Sequence, residues 1–255
     1  MEIKRDFGLI GYPLGHSFSQ KYFTKKFEKL NLKNFAYQTI PLSDITKLRN
    51  LVNAQKTLIG LNVTTPYKEL VIPYLQDLDP LVIRVGTVNT ICIYREENDR
   101  FRMKGFNTDV LGLQKLIHPL VAGKDISALI LGSGGSAKTT AFVLKELCIP
   151  YKFVSRNKQT RDLLNYDNLN SRIISDNKLI INATPVGMYP YVQDYPKIPY
   201  EGIGENHICI DLVYNPAHTS FMDRCSDFGA LVKNGEEMLY EQADKAWEIW
   251  QQECF

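Results

Sequence analysis

The chain has 255 residues, of which 44% are hydrophobic and 23% are charged, and its formal net charge is +2. This length allows two modest domains with hydrophobic cores, and the balanced charge excludes a large field that would recruit nucleic acid or an anionic membrane. The N-terminus has no long apolar segment, and no stretch approaches the roughly 18 apolar residues of a membrane-spanning helix. We therefore expect a soluble, cytoplasmic monomer or homodimer that binds neither nucleic acid nor membranes.

The five cysteines are scattered along the chain and form no C-x-x-C motif. Only four histidines are present, and none lies at metal-ligand spacing from a cysteine. This usage predicts idle or buried thiols in a reducing compartment and no metal site. The cysteines are Cys92, Cys148, Cys209, Cys225 and Cys254.

Strand and helix patterns alternate through the first half of the chain. The predicted strands are Asp6–Gly11, Phe35–Ile40, Leu58–Val63, Val88–Arg95 and Phe101–Asn107. The predicted helices are Ser19–Leu30, Ser43–Val52 and Tyr67–Leu75. We expect Ser43 to cap the second helix and Pro66 to start the third. This alternation predicts an α/β layer with a mostly parallel sheet.

A second α/β unit follows a connecting helix that should end near Pro119. The Pro- and Tyr-rich segment between Gly187 and Gly204 is expected to be a mobile surface loop. The predicted helices of this half are Val110–Leu120, Lys138–Leu147 and the tail Glu236–Gln252. The predicted strands are Ser127–Leu131, Pro150–Val154, Leu179–Asn182 and Ile208–Val213.

The strongest local motif follows the strand Ser127–Leu131 and precedes a helix. It has the G-x-G-x-x-A pattern that is typical of a dinucleotide pyrophosphate site in this context. Gly132 permits the tight turn, Gly134 lets the backbone approach the phosphates, and the small Ala137 lets the helix pack close to the strand. The alternative is an ordinary glycine-rich loop. The motif consists of Gly132, Ser133, Gly134, Gly135, Ser136 and Ala137.

The next strand indicates which dinucleotide is bound. A chain that binds NAD usually places Asp or Glu about twenty residues beyond the glycines, where it accepts hydrogen bonds from the ribose. Here the strand tip reads Ser155-Arg156-Asn157-Lys158, without a carboxylate. Arg156 could grip a 2′-phosphate with its planar fork, and Lys158 adds charge. The sequence therefore favours NADP over NAD, and the alternative is a solvated basic turn.

Polar clusters at strand ends in the first half are candidates for substrate binding and proton transfer. Ser17 and Ser19 have alternate spacing that suits a carboxylate or a polyol, although Ser19 could simply cap the following helix. Asn62 and Thr64 share one face of their strand end. Lys68 follows in the first helical turn, where a cation is electrostatically disfavoured unless another requirement holds it. The alternative for Lys68 is a solvated surface lysine.

A third cluster, Gly105–Asp109, lies at the junction of the two halves, where a cleft between domains would pass. Asp109 could contribute a carboxylate to that cleft. It could equally be only the N-cap of the following helix.

These clusters and the glycine motif resemble the shikimate dehydrogenase family over nearly the whole chain. The resemblance depends on eight ordered motifs rather than on any one of them. They are G-x-P-x-x-H-S-x-S (Gly11 to Ser19), N-V-T-x-P-x-K (Asn62 to Lys68), G-x-V-N-T (Gly86 to Thr90), G-x-N-T-D (Gly105 to Asp109), G-x-G-G-x-A (Gly132 to Ala137), N-A-T-P-x-G-M (Asn182 to Met188), D-x-x-Y-x-P (Asp211 to Pro216) and M-L-x-x-Q-A (Met238 to Ala243).

The resemblance implies NADPH-dependent reduction of 3-dehydroshikimate to shikimate, with Lys68 and Asp109 as the catalytic pair. It implies a substrate domain of residues 1–109 plus 236–255, to which the C-terminal helix returns, and a Rossmann-type NADP-binding domain of residues 110–235. It places Thr184 and Leu212 at the cofactor, beside the glycine motif and the basic strand tip. The implied substrate-binding positions are Ser17, Ser19, Asn62, Thr64, Asn89, Tyr214 and Gln242.

Two alternatives to this function remain open at the level of the sequence. One is a quinate/shikimate dehydrogenase that uses NAD, although no acid follows Val154. The other is a non-catalytic NADPH-sensing module on the same fold, although both Lys68 and Asp109 are present. The chain also departs from the family pattern at Ser136, Ser155 and Glu237, and Glu237 replaces a glycine near the expected nicotinamide pocket.

Overall fold

The computed structural model describes residues 3–15, 18–98, 100–156 and 163–255. The chain divides into two compact units, which are described separately. Unit 1 comprises Met1–Thr108 and Ala243–Phe255, and unit 2 comprises Asp109–Gln242. Relative to the domain boundaries predicted from the sequence, Asp109 and residues 236–242 lie in unit 2.

Unit 1 contains a six-stranded sheet in the order β2-β1-β3-β5-β6-β4. Its strands are β1 (Arg5–Gly11), β2 (Phe35–Pro41), β3 (Leu58–Val63), β4 (Asp77–Leu78), β5 (Thr90–Arg95) and β6 (Phe101–Phe106). Strand β1 runs parallel to β2 and β3, β4 runs parallel to β6, and β5 is antiparallel to β3 and β6. The helices are α1 (Phe18–Lys29), α2 (Leu48–Ala54), α3 (Tyr67–Leu70), α4 (Pro80–Val85) and the end of α9 (Glu236–Glu253).

The two faces of this sheet carry different cores, because neighbouring strand residues point to opposite sides. Aliphatic residues such as Ile10 and Val63 form one core. Aromatic rings from β1, α1 and α9 form the other, in which Phe7 and Trp250 have ring centroids 4.7 Å apart. A Cβ atom at Gly60 would lie 2.6 Å from Trp250 Nε1, so only glycine lets this indole lie against β3. The indole N–H of Trp250 donates to Ile91 O at 3.1 Å.

Unit 2 contains a six-stranded, wholly parallel sheet in the order β12-β11-β10-β7-β8-β9. Its strands are β7 (Ala128–Leu131), β8 (Tyr151–Ser155), β9 (Leu163–Asn165), β10 (Leu179–Asn182), β11 (Ile208–Asp211) and β12 (Leu231–Asn234). The central strands β7, β10 and β11 are buried throughout, as expected for a parallel sheet covered on both faces. The helices are α5 (Asp109–Val121), α6 (Gly135–Glu146), α7 (Ser171–Asp176), α8 (Ser220–Asp227) and the start of α9.

Contacts within unit 2 account for where its boundary falls on α9. A Cβ atom at Gly112 on α5 would lie 2.6 Å from Met238 O, so the two helices approach closely at that glycine. Lys115 on α5 also forms a salt bridge with Glu241 on α9. These contacts attach the first turns of α9 to α5, and the following turns belong to unit 1.

The predicted α/β alternation is confirmed, and strands Leu58–Val63 and Leu179–Asn182 match residue for residue. Three local predictions were wrong. Asp44, rather than Ser43, caps the chain before α2, and its carboxylate accepts from the Thr46 N–H at 2.9 Å. Helix α5 continues through Pro119 to Val121. The predicted Tyr67–Leu75 helix is only α3 followed by a 3₁₀ turn, which contains Pro73.

Within the described ranges, no helix is long and apolar enough to cross a membrane. The same part of the chain contains no group of three or more His, Cys, Asp or Glu side chains that could hold a metal ion. All five cysteines are free thiols.

Candidate functional site

The glycine-rich loop of unit 2 lies at the point where the strand order of the sheet reverses. After β7 the chain adds β8 and β9 on one side, and it then returns to place β10 on the other side of β7. Parallel α/β sheets bind ligands outside the carboxyl ends of the strands at such a switch point. Helix α6 begins there at Gly135, with Gly134 as its N-cap.

Two glycines shape this loop. Gly132 has φ +113°, and a Cβ atom there would lie 3.1 Å from Thr184 Cγ2 and 3.2 Å from Ala183 O. A Cβ atom at Gly134 would meet nothing within 4 Å, so the space over the loop is open. The first N–H groups of α6 have no intrahelical acceptors, and they carry the positive end of the helix dipole. This cradle fits a pyrophosphate, with Thr184 packed against its glycine turn.

The end of β8 lies beside the glycine loop. Ser155 is buried, and its Oγ lies 3.2 Å from Ser133 Oγ. Arg156 follows as an exposed residue at the strand tip. Burial raises the pKa of Tyr166, and the positive charge of Arg156 partly opposes that rise. A cation is therefore available next to the loop, while Lys158 lies outside the described residues.

A buried polar network fixes the carboxyl ends of β10 and β11. Asp211 accepts from Asn182 Nδ2 at 2.9 Å, from the Val213 N–H at 3.0 Å and from the Thr219 hydroxyl at 2.7 Å. Burial raises the pKa of Asp211 to about 6 in spite of these three bonds. Asn182 Oδ1 in turn accepts from Thr184 N at 3.1 Å and from Thr184 Oγ1 at 2.6 Å. The network thereby holds Thr184 beside the glycine loop.

The other predicted residues of unit 2 lie near the start of α9 or just after β11. The Leu212 N–H donates to Asn182 O at 2.9 Å, and a Cβ atom at Gly235 would lie 2.6 Å from Leu212 O. Tyr214 is half-buried, and burial raises the pKa of its phenol. Gln242 donates through Nε2 to Leu239 O at 3.0 Å. Glu237, the departure from the family pattern, is exposed in the first turn of α9.

Two predicted substrate residues of unit 1 are joined by buried hydrogen bonds. Asn62 donates through Nδ2 to Asn89 O and to Thr90 Oγ1, both at 3.2 Å. Its Oδ1 accepts a 2.7 Å bond from the Tyr37 hydroxyl. Burial raises the pKa of Tyr37, and Ser19 on α1 partly opposes that rise. The structure therefore brings Asn62 and Asn89 into one network together with Tyr37 and Thr90.

The same network continues to the end of unit 1. Asn89 Oδ1 accepts from the Thr108 N–H at 2.7 Å and from Thr90 Oγ1 at 3.2 Å. Asn89 Nδ2 donates to Thr108 Oγ1 at 2.9 Å. Beside it, Asn107 Nδ2 donates to Thr87 O at 3.0 Å. The segment immediately before Asp109 is thus held by side chains of the Gly86–Thr90 motif.

The predicted catalytic pair is divided between the two units. Lys68 is the second residue of α3 in unit 1, half-buried, and its main-chain O accepts from the Val88 N–H at 2.7 Å. Asp109 is the buried first residue of α5 in unit 2, where an acid interacts favourably with the helix dipole. Thr64 is half-buried at the carboxyl end of β3. Ser17 lies outside the described residues, and the pairing of Lys68 with Asp109 stays a prediction.

Sequence reasoning gave no role to several members of these networks, and Tyr37, Thr90 and Thr219 show why. Tyr37 is the buried residue of a strand that was predicted correctly. A buried tyrosine hydroxyl usually needs a hydrogen-bond partner, so the strand pattern could have identified Tyr37 as a candidate. Thr90 lies within a recognised motif but was given no role. Thr219 follows a proline-containing loop, and no local pattern distinguishes it from other polar loop residues.

The fold and the loop define a class: proteins with an α/β unit followed by a doubly wound unit that binds a dinucleotide. Comparison with known proteins narrows this class. The family described as "Shikimate dehydrogenase substrate binding domain" matches residues 9–91. A shikimate dehydrogenase (NADP⁺) from Methanosphaera stadtmanae is 32% identical over 95% of this chain and 90% of that protein.

Solved structures agree with this comparison. The crystal structure of shikimate dehydrogenase 1 from Peptoclostridium difficile is 35% identical, with a TM-score of 0.83 over 97% of this chain and 92% of that one. The shikimate 5-dehydrogenase from Thermus thermophilus, in complex with NADP(H) and shikimate, is 27% identical, with a TM-score of 0.81 over 97% of this chain and 94% of that one. The chain belongs to the shikimate dehydrogenase family.

Proposed function

We propose that this chain reduces 3-dehydroshikimate to shikimate with NADPH, a step of chorismate and aromatic amino-acid biosynthesis. The observation that carries the proposal is the 32% identity to a named NADP⁺-dependent shikimate dehydrogenase, which extends through both units. The partner is a small-molecule substrate, and the enzyme acts as a monomer or homodimer. Its five free thiols suit the reducing cytoplasm.

The residues of unit 2 fit NADP(H). The glycine loop and the N-terminus of α6 would hold the pyrophosphate, because the space over Gly134 is open and Gly132 allows the turn. Arg156 and Lys158 would hold the 2′-phosphate, with Ser155 at the strand end beside them. Thr184, which packs against the glycine turn, and Leu212 would also contact the cofactor. The nucleotide, when bound, supplies the hydride.

The chemistry of this chain's own residues is electrostatic stabilisation and proton transfer. A ketone that is being reduced develops negative charge on its oxygen. Lys68, as an ammonium held by Asp109, would stabilise that charge and donate the proton to the oxygen. Ser17, Ser19, Asn62, Thr64, Asn89, Tyr214 and Gln242 would bind and orient the substrate.

A spectrophotometric assay of nicotinamide reduction tests the proposed function. Purified protein is incubated with shikimate or quinate and with NADP⁺ or NAD⁺ in turn. We expect the highest kcat/KM with shikimate and NADP⁺. Equal rates with the two cofactors would overturn the NADP assignment. Tight binding of shikimate and NADP⁺ without turnover would instead favour a sensing module.

Replacing Arg156 tests the source of the cofactor preference. We expect Arg156→Ala to lower kcat/KM for NADPH about 10- to 100-fold, because a charge-assisted bond to the 2′-phosphate is lost. The value for NADH should change less than about twofold, since NADH lacks that phosphate. Steady-state kinetics with both cofactors measures the ratio.

Lys152 is a suitable control for this variant. It is an exposed cation on the same strand, β8. We expect Lys152→Ala to leave the ratio of the two cofactors unchanged. Equal losses with NADPH and NADH in Arg156→Ala would contradict a contact to the 2′-phosphate.

A further inference from the structure

Tyr37 contacts the candidate substrate residue Asn62 through its hydroxyl. It lies on β2, and it is 5% exposed. Its ring stacks on Phe23 of α1 at 4.6 Å between centroids, with an interplanar angle of 14°. Its hydroxyl makes a 2.7 Å hydrogen bond to Asn62 Oδ1 on β3. Packing therefore holds the ring, while the hydroxyl contacts a polar group of a different strand.

Main-chain groups determine which partner donates at each bond. The carbonyl oxygen of Asn89 can only accept, so the bond from Asn62 places the Nδ2 end of that amide toward Asn89. The Oδ1 end of Asn62 then faces Tyr37, whose hydroxyl must donate its one proton there. The direction of both bonds follows from a single peptide carbonyl.

The hydrogen bonds beyond Asn62 have the same donor-to-acceptor direction. Asn62 Nδ2 donates to Thr90 Oγ1, the Thr90 hydroxyl donates to Asn89 Oδ1, and Asn89 Nδ2 donates to Thr108 Oγ1. The Thr108 N–H can only donate, and its bond to Asn89 Oδ1 fixes the orientation of that second amide. Four side-chain bonds thus run in one direction from Tyr37 to Thr108. We call this series the polar relay.

We propose that Tyr37 is a positioning residue that orients the Asn62 amide for substrate binding. This inference rests on the proposed function, because it takes Asn62 as part of the shikimate site. Tyr37 does this without needing to touch the substrate, since its one proton is committed to Asn62. Without the phenol oxygen, the Asn62 amide loses the donor to its Oδ1.

Burial supports a permanent role for this phenol. Burial raises the pKa of Tyr37, and Ser19 opposes that rise only in part. The hydroxyl therefore stays protonated, and it remains a donor to Asn62, across the pH range in which the enzyme would be assayed.

Tyr37→Phe tests the proposal, since it removes only the hydroxyl and keeps the ring that packs on Phe23. We expect the KM for shikimate to rise about tenfold, the cost of one lost buried hydrogen bond. We expect kcat and the KM for NADP⁺ to change less than about twofold, because the relay contains neither Lys68 nor any residue of unit 2. A fall in kcat with an unchanged shikimate KM would overturn the proposal.

A control separates positioning from a general loss of stability. Tyr200 is also a buried tyrosine, and its hydroxyl donates to Pro196 O at 2.8 Å in unit 2. Tyr200→Phe makes the same chemical change away from the relay, and we expect it to leave the shikimate KM unchanged. Wild-type turnover of shikimate is measured first. An inactive wild type contradicts the proposed function, whereas an active wild type with an unaffected Tyr37→Phe contradicts only this inference.

A double-mutant cycle tests whether Tyr37 acts through Asn62. If it does, Asn62→Ala together with Tyr37→Phe costs less in kcat/KM than the product of the two single losses. Fully multiplicative losses would overturn the proposal.

Thr90→Val provides a second test of the proposal if the Tyr37→Phe variant does not fold. It is a nearly isosteric change that breaks the same relay beyond Asn62. We expect it to raise the shikimate KM several-fold at constant kcat. An unchanged KM in this variant would likewise overturn the proposal.

Discussion

Lys68→Met is expected to lower kcat for shikimate oxidation about 10²–10⁴-fold, the usual contribution of a positioned proton-transfer group. Methionine keeps most of the length of the side chain and removes its charge and its proton. The loss should appear in kcat rather than in KM, because in the oxidation direction the Lys68 amine accepts the hydroxyl proton as the hydride leaves, and the charge on the oxygen develops only in the transition state. Steady-state kinetics at saturating NADP⁺ measures both constants.

Lys25→Met provides the control for this variant. Lys25 is an exposed lysine on α1 of the same unit, and its replacement should leave both constants unchanged. A Lys68→Met enzyme with normal kcat and a raised KM would make Lys68 a binding residue. The Lys68–Asp109 pair would then lose its proposed role in proton transfer.

The second large effect concerns stability and pH, through the buried carboxyl of Asp211. Its pKa is raised from 3.8 to about 6 in the folded protein, so folding favours the protonated form. The stabilisation is fully present below pH 3.8 and is lost as the pH rises through about 6. In Asp211→Asn the group is neutral at every pH. We therefore expect the stability of the variant relative to wild type to rise by about 2–3 kcal/mol between about pH 4 and pH 7.

Urea denaturation at a series of pH values measures this difference. The informative quantity for Asp211→Asn is how its stability relative to wild type changes with pH. Its stability at any one pH also depends on how well the introduced amide replaces the carboxylate as the acceptor of three hydrogen bonds. Asp194→Asn, at an exposed position in the same unit, should give a flat difference curve. A flat curve for Asp211→Asn would mean that Asp211 ionises equally easily in the folded and unfolded chain.

Local signals made most of the fold predictable. The strand–glycine–helix sequence around Gly132 depends on neighbouring residues only, and the structure places it as expected, with a positive φ at that glycine. The short elements β9, β12, α7 and α8 were not predicted, because they lack the apolar runs that identified the equally short strands β3 and β10. The segment between Gly187 and Gly204 was predicted as a surface loop, yet Ile198 and Tyr200 are buried in the core of unit 2. These two side chains are buried by contacts with residues distant in the sequence, which a local composition rule does not detect.

The candidate site was predictable as a set of residues but not as a network. Motif spacing identified Ser19, Asn62 and Asn89, and it left open whether Ser19 merely capped a helix. The bond between Asn62 and Tyr37 depends on strand order, because β1 lies between β2 and β3 in the sheet. No spacing rule indicates that a side chain from β2 reaches one on β3. Such pairings become visible only when the sheet is assembled.

The aromatic core of unit 1 has a practical consequence for following how the chain unfolds. The chain contains only two tryptophans, Trp247 and Trp250, and both are buried in that core at the end of α9. Indole emission therefore reports on the packing of unit 1, whereas far-ultraviolet circular dichroism reports on both units. A difference between the two denaturation curves would reveal that the units lose their structure independently.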